Sequence, residues 1–238
     1  MLALRPVSVL RLPTRCAVCR QWAQSRVCAP CVERFAASRP RCRTCAIAVP
    51  AGTTRCGDCL REAPPFTAAV AAVDYAYPWA DVVASFKFAQ GIDRVGALAD
   101  LLAAAILRDD DAANVDLVVP VPLAGQRLAE RGYNQAWELA RRVARRLRRP
   151  ARADLLQRWV DTPHVADLPR TRRPAAVRGA FGVAPADATP LRGRRVALVD
   201  DVMTTGATAT EATRALLAAG AAEVLLWVLA RTPRPADA

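Results

Sequence analysis

The stretch from Arg195 to Thr208, RVALVDDVMTTGAT, most constrains what this chain can fold into. Val196, Ala197, Leu198 and Val199 make an apolar run with no polar interruption, the pattern of a strand covered on both faces. Two adjacent carboxylates, Asp200 and Asp201, follow, then Thr204, Thr205, Gly206, Ala207 and Thr208, and then an alanine-rich segment that reads as a helix. A helix start presents amide groups without intrahelical partners at the positive end of the dipole. Gly206 lets a ligand approach the backbone, and the threonine hydroxyls add donors, so this loop suits a phosphate. Carboxylates beside a bound phosphate are tolerated when they accept hydrogen bonds from sugar hydroxyls or help to hold a divalent cation. Together the two halves describe a sugar phosphate held with magnesium.

All eight cysteines fall between residues 16 and 59, as four C-x-x-C pairs: Cys16/Cys19, Cys28/Cys31, Cys42/Cys45 and Cys56/Cys59. A C-x-x-C turn aims both sulfurs at one point, and four pairs with short spacers and no cysteine left over predict two four-cysteine zinc sites. Disulfides would need an oxidising compartment, and a thioredoxin-type use would need a βαβ unit around the pair. Sequential pairing (16, 19, 28, 31 and 42, 45, 56, 59) closes the smaller loops and is the expected arrangement. A cross-brace, with the first and third pairs together, is the other pairing the spacing allows. So short a stretch, poor in large apolar residues, must draw its folding free energy from the metal.

From Pro64 the composition shifts, and Pro64-Pro65 is the expected boundary between a double zinc-ribbon module, residues 1–63, and an α/β domain, residues 64–238. FTAAVAAVDYAY reads as a strand or strand pair, and PWADVVASFKFAQG as a helix opened by Pro78 and closed by Gly91. Val95, Leu98, Leu101, Leu102, Ala105 and Ile106 mark one helical face, and Val115 to Pro122 a second buried strand. After that strand Arg127 and Arg131, four apart on a loop or single turn, can converge on one polyanion through their planar forks. In the helix that follows, Ala136, Leu139, Ala140, Val143 and Leu147 share a face, while Arg141, Arg142, Arg145, Arg146, Arg148 and Arg149 read as a solvated one. EVLLWVLA supplies a last buried strand.

The D-D-x-x-T-T-G-x-T order resembles the phosphoribosyl pyrophosphate (PRPP) motif of type I phosphoribosyltransferases. That resemblance implies that Asp200 and Asp201 contact the ribose hydroxyls and that Thr204, Thr205, Gly206, Ala207 and Thr208 wrap the 5′-phosphate. It also implies that the loop carrying Arg127 and Arg131 binds pyrophosphate. Lys87, the only lysine, joins them as a third candidate cation, against the plainer reading of a solvated lysine at a helix end. The C-x-x-C pairs, VPVPLAGQRLAERGYNQ, the DTP followed by an arginine-rich stretch ending VRGAF, and the PRPP motif together resemble the ComF/GntX family, associated with competence and DNA uptake. The pattern departs from that family at Val165, Pro169 and Ala176. The resemblance implies a mainly parallel type I phosphoribosyltransferase-like sheet flanked by helices, zinc and magnesium as cofactors, and PRPP as ligand. The partner class it implies is single-stranded DNA or a DNA-uptake helicase. His164, the only histidine, reads as a hydrogen-bonded loop residue, and the segment carrying Arg172, Arg173 and Arg178 as a flap over the ligand.

The formal charge is +12, and two filled tetrathiolate zinc sites, each about −2, lower it to about +8. A basic protein of this kind favours polyanions, and Trp22 and Phe35 near the ribbon arginines are available for base stacking. No apolar run approaches the ~20 residues of a membrane span. The opening MLALRPVSVLRLPTR is broken by Arg5, Pro6, Arg11 and Pro13, so neither membrane insertion nor a secretory signal is expected, and the expected location is cytoplasmic.

Overall fold

The computed structural model describes residues 12–86, 89–160, 175 and 177–234. Lys87, the segment with His164, Val165, Pro169, Arg172 and Arg173, and Ala176 lie outside them, so the readings placed there stay expectations.

Within the described residues the apolar runs assemble into one parallel sheet. Its strands are β3 (Ala68–Asp74), β4 (Leu117–Pro120), β7 (Arg195–Met203) and β8 (Glu223–Arg231), in the order β3-β8-β7-β4. FTAAVAAVDYAY yields the single strand β3 rather than a pair. Uninterrupted apolar sequence is required because both faces are covered. Val196 and Leu198 of β7 and Val224, Leu226 and Val228 of β8 pack with Ala209, Ala212 and Leu216 of α8 (Ala207–Ala218). The alternate residues Ala197, Val199, Leu225, Trp227 and Leu229 join the core on the opposite face. That core is built with α3 (Trp79–Phe86), α4 (Val95–Ile106) and α7 (Gln135–Leu147). Each of the valines and leucines contributes roughly 1.5–3 kcal/mol when fully buried, so both helical layers are held by the same strands.

The ribbons are two copies of one device. In the first, β1 (Thr14–Arg15) pairs antiparallel with β2 (Trp22–Ala23) around the Cys16–Cys19 turn, and α1 (Ala29–Phe35) starts directly after Cys28. In the second, α2 (Gly57–Arg61) starts directly after Cys56. Each knuckle turns through a left-handed residue just past its second cysteine, Arg20 (φ 65) and Ala46 (φ 54). The two copies differ in their attachment. Cys16, Val27 and Cys31 enter the core that contains Ala72 and Trp79, and the Trp79 indole donates to the Phe35 carbonyl at 2.7 Å. The second ribbon has its own cluster of Cys42, Ile47, Cys56 and Cys59, and the Arg43 carbonyl accepts from Ala69 N at 2.9 Å on β3, an outer strand of the sheet.

Two local expectations change. Gly91 does not close a helix; it lies in a 3₁₀ segment, Ala89–Arg94, where a Cβ would stand 2.2 Å from the Ser85 carbonyl oxygen, so close backbone approach is what requires glycine. Arg141 and Arg142 are not a solvated face. Both grip the buried Glu138, Arg141 through Nε at 2.9 Å, and although burial opposes ionisation these guanidiniums hold the Glu138 carboxyl below its ordinary range. Arg146 reaches across to Asp100 of α4, so this side of α7 fastens the two helices together.

Candidate functional site

In a parallel sheet covered on both faces, ligands gather beyond the carboxyl ends of the strands. The structure brings two predicted elements to that edge. Near its end β7 carries Asp200 and Asp201, both half-buried, and the Asp201 amide donates to Asp200 Oδ1 at 2.8 Å, which fixes the Asp200 side chain. The chain then turns through Thr204 and Thr205 to Gly206, whose φ of +84° is strained for any residue with a side chain. Helix α8 begins at Ala207, and Thr210 N donates to the Gly206 carbonyl at 2.8 Å as its first closing bond. The amides at the start of the helix have no intrahelical acceptor, and Ala207 N donates to Thr205 Oγ1 at 3.4 Å. Residues 204–209 with Asp200 and Val228 line a narrow cleft.

The second element leaves β4, the neighbour of β7, where Val121 N donates to the Val199 carbonyl at 2.9 Å. The chain that emerges one residue from Asp200 forms a short helix, α6 (Gly125–Arg131), in place of an open loop, and ends at Gly132 in the left-handed region (φ 77). Arg127 and Arg131 therefore sit one helical turn apart and present their forks along the same side. Arg131 donates to Gln135 at 3.2 Å. Asn134 caps α7, accepting from Ala136 N at 2.9 Å, and its amide donates to the Val121 carbonyl at 3.0 Å, locking this loop onto the strand exit. Burial pushes the Tyr133 hydroxyl above its ordinary value, Arg131 and Arg94 pull it down, and Glu138 and Asp201 add to the rise. The Tyr133 hydroxyl donates to the Phe86 carbonyl at the end of α3.

The cysteines form the two sequential groups, Cys16, Cys19, Cys28, Cys31 and Cys42, Cys45, Cys56, Cys59, with the sulfurs of each group within 4.8 Å of one another. Cys19 and Cys28 sulfurs are 3.7 Å apart, and those of Cys45 and Cys56 3.6 Å. A tetrahedron with Zn–S of about 2.3 Å has edges of about 3.8 Å, so donor type, number and spacing all fit zinc. The electrostatics are arranged for it as well. Cys16 is lowered to about 6 and Cys42 to about 7: burial opposes the thiolate in each, but backbone amides, those of Cys28 and Cys56 foremost, outweigh it. Burial and the neighbouring sulfurs raise Cys31 and Cys59, a conflict that a dication removes.

One functional residue escapes a reading of the sequence. Arg231 ends β8 and is only 8% exposed. Its Nε donates to the Cys45 carbonyl at 2.9 Å, and its Nη1 to the carbonyls of Met203 at 3.1 Å and Thr204 at 2.5 Å. The available signal is a charged residue directly continuing a fully buried strand, EVLLWVLAR. Between the second ribbon and the start of α8 lies a cavity of about 460 Å³, walled by Cys45, Cys59, Arg231, Met203, Thr205 and Gly206 among others.

Comparison with known proteins gives two family matches. Residues 92–238 match the profile of the phosphoribosyl transferase domain, and residues 8–60 that of the double zinc ribbon domain. The DNA utilization protein YhgH of Escherichia coli strain K12 is 30% identical over 233 residues, spanning 94% of this chain and 100% of that protein. The protein of the same name from Salmonella typhi is 32% identical over 235 residues, with 94% and 100% covered. Competence protein F of Haemophilus influenzae is 33% identical over 225 residues, with 91% and 96% covered. Among the described residues, no helix is long and apolar enough to cross a membrane.

Proposed function

Because this chain belongs to the phosphoribosyl transferase domain family, in the group with YhgH and Competence protein F, we propose that it binds PRPP with magnesium and transfers the phosphoribosyl group, in a role linked to DNA uptake. The observation that carries this reading is the convergence of the acidic pair, the Gly206 loop and the Arg127/Arg131 helix at the carboxyl ends of the adjacent strands β7 and β4. In this reading the 5′-phosphate lies against the amides of residues 204–208, and Asp200 and Asp201 accept from the ribose 2′ and 3′ hydroxyls. Arg127 and Arg131 bind the pyrophosphate, with Lys87 as a third cation. Bound Mg²⁺, held by the ligand's own oxygens and the acidic pair, would neutralise charge on the pyrophosphate. In the reaction the bond from the anomeric carbon to the pyrophosphate oxygen breaks, the pyrophosphate leaves with the electron pair, and an acceptor nucleophile bonds to the carbon. The two arginines stabilise the charge that gathers on the leaving oxygen.

Phosphorus NMR of PRPP with the protein and Mg²⁺ tests the assignment. All three phosphorus signals should broaden and shift, and in Arg127→Ala/Arg131→Ala the two pyrophosphate signals should return toward their free positions while the 5′-phosphate signal stays perturbed. Equal retention of ribose 5-phosphate and PRPP by the native protein would contradict a pyrophosphate subsite.

A second reading is a PRPP-responsive binding protein whose ribbon engages single-stranded DNA or an uptake helicase. One observation favours it: Trp22 is 68% exposed, with the Arg15 guanidinium 5.4 Å from its ring centre, a stacking platform beside a positive charge. Pyrophosphate release in the presence of acceptors separates the two readings, since a binding protein retains PRPP unchanged.

A further inference from the structure

Arg231 contacts both candidate sites at once. Its guanidinium reaches the carbonyl of Cys45, whose sulfur belongs to the second four-cysteine group, and the carbonyls of Met203 and Thr204, which enter the phosphate loop. The same Nη1 also donates to the Thr232 carbonyl at 2.9 Å, and Thr232 N donates to Met203 at 3.0 Å, so the loop entrance is tied to the end of β8 twice. A guanidinium has donors in a rigid plane, so its acceptors cannot move independently while the bonds hold. The first ribbon is attached elsewhere, through Phe35 to Trp79 and through Arg26 to Asp93.

From this geometry we propose that Arg231 is a positioning residue coupling metal binding at Cys42, Cys45, Cys56 and Cys59 to ligand binding at the loop of residues 204–208. The proposal rests on the PRPP reading for the identity of the loop's ligand. Cys42, Cys45, Cys56 and Cys59, holding zinc, would fix the knuckle and with it the Cys45 carbonyl. Arg231 transmits that placement to the Met203 and Thr204 carbonyls, and these set the peptide planes from which the loop's amides project. Linkage makes the effect reciprocal: if zinc at the second site tightens PRPP binding, PRPP tightens zinc at that site by the same factor. The first site, with the same four-cysteine chemistry and a different attachment, is the internal control.

The test uses the zinc-loaded full chain, a chelator and a thiol-alkylating reagent, with peptide mass spectrometry following each cysteine with and without PRPP and Mg²⁺. Calorimetry on the same sample reports whether PRPP is bound. The proposal expects PRPP to slow alkylation of Cys42, Cys45, Cys56 and Cys59 by about 5-fold or more, the lower end of ordinary coupling between sites. Cys16, Cys19, Cys28 and Cys31 should be unaffected. In Arg231→Lys, which keeps the charge and loses the fork, the protection should fall toward none while the first group keeps its native rate. Bound PRPP with equal protection of both groups, or with none, overturns the coupling and leaves the PRPP reading standing. Absence of PRPP binding overturns both.

Discussion

Asp200→Asn/Asp201→Asn is expected to lower PRPP affinity by at least about 100-fold, since a hydrogen bond to a charged group contributes about 1.5–3 kcal/mol and two such bonds to the ribose are weakened together. The fold should survive. Asp200 Oδ1 accepts from the Asp201 amide, an acceptor that asparagine retains, and both side chains are half-buried at the sheet edge rather than in its core. Calorimetry reads the affinity, and circular dichroism with a thermal melt checks that the variant matches the native protein. A variant that folds and binds PRPP as the native chain does would remove the acidic pair from the ribose and leave only the loop's amides to explain binding.

The second large effect concerns the metal. Two zinc ions per chain are expected, and replacing Cys42 and Cys45 by serine should reduce the count to one by elemental analysis. It should also unfold residues around the second knuckle, because the cluster there consists of Ile47 and cysteines. The parallel sheet should persist in the far-ultraviolet spectrum. Replacing Cys16 and Cys19 should cost more, with a larger fall in melting temperature. Two ligands of the first site, Cys16 and Cys31, are themselves packed into the core that includes Ala72, Trp79 and Leu98, whereas the second ribbon enters the domain core through Ala46, with Cys45 packed against it. Equal falls for the two sites would contradict this difference in attachment.

Much of this architecture is written locally in the chain. The run Val196–Val199 with its two carboxylates announces a strand covered on both faces, and the eight cysteines announce two metal centres. In both cases the signal lies between neighbours in sequence. Sequential zinc pairing follows from the same locality, since each group closes within one ribbon. What the sequence hides depends on contacts between distant segments. Arg231 reaches 186 positions back to Cys45, and nothing in EVLLWVLAR says which carbonyls its fork will meet. Gly91 resembles a helix stop because the approach of Ser85 is a tertiary fact. Arg141 and Arg142 look solvated on a helical wheel, yet the buried Glu138 one turn back draws both inward. Arg127 and Arg131 are legible as a pair following the second buried strand, but the short helix that carries them is not, since seven residues closed by Gly132 carry little periodic signal.

Titration of PRPP into the native zinc-loaded protein by calorimetry, with and without Mg²⁺, decides whether the β7 loop and its neighbours form a PRPP site. Saturable micromolar binding at one site per chain is expected, weakening sharply without Mg²⁺ and not matched by ribose 5-phosphate. No heat of binding from the zinc-loaded protein with Mg²⁺ present would contradict it.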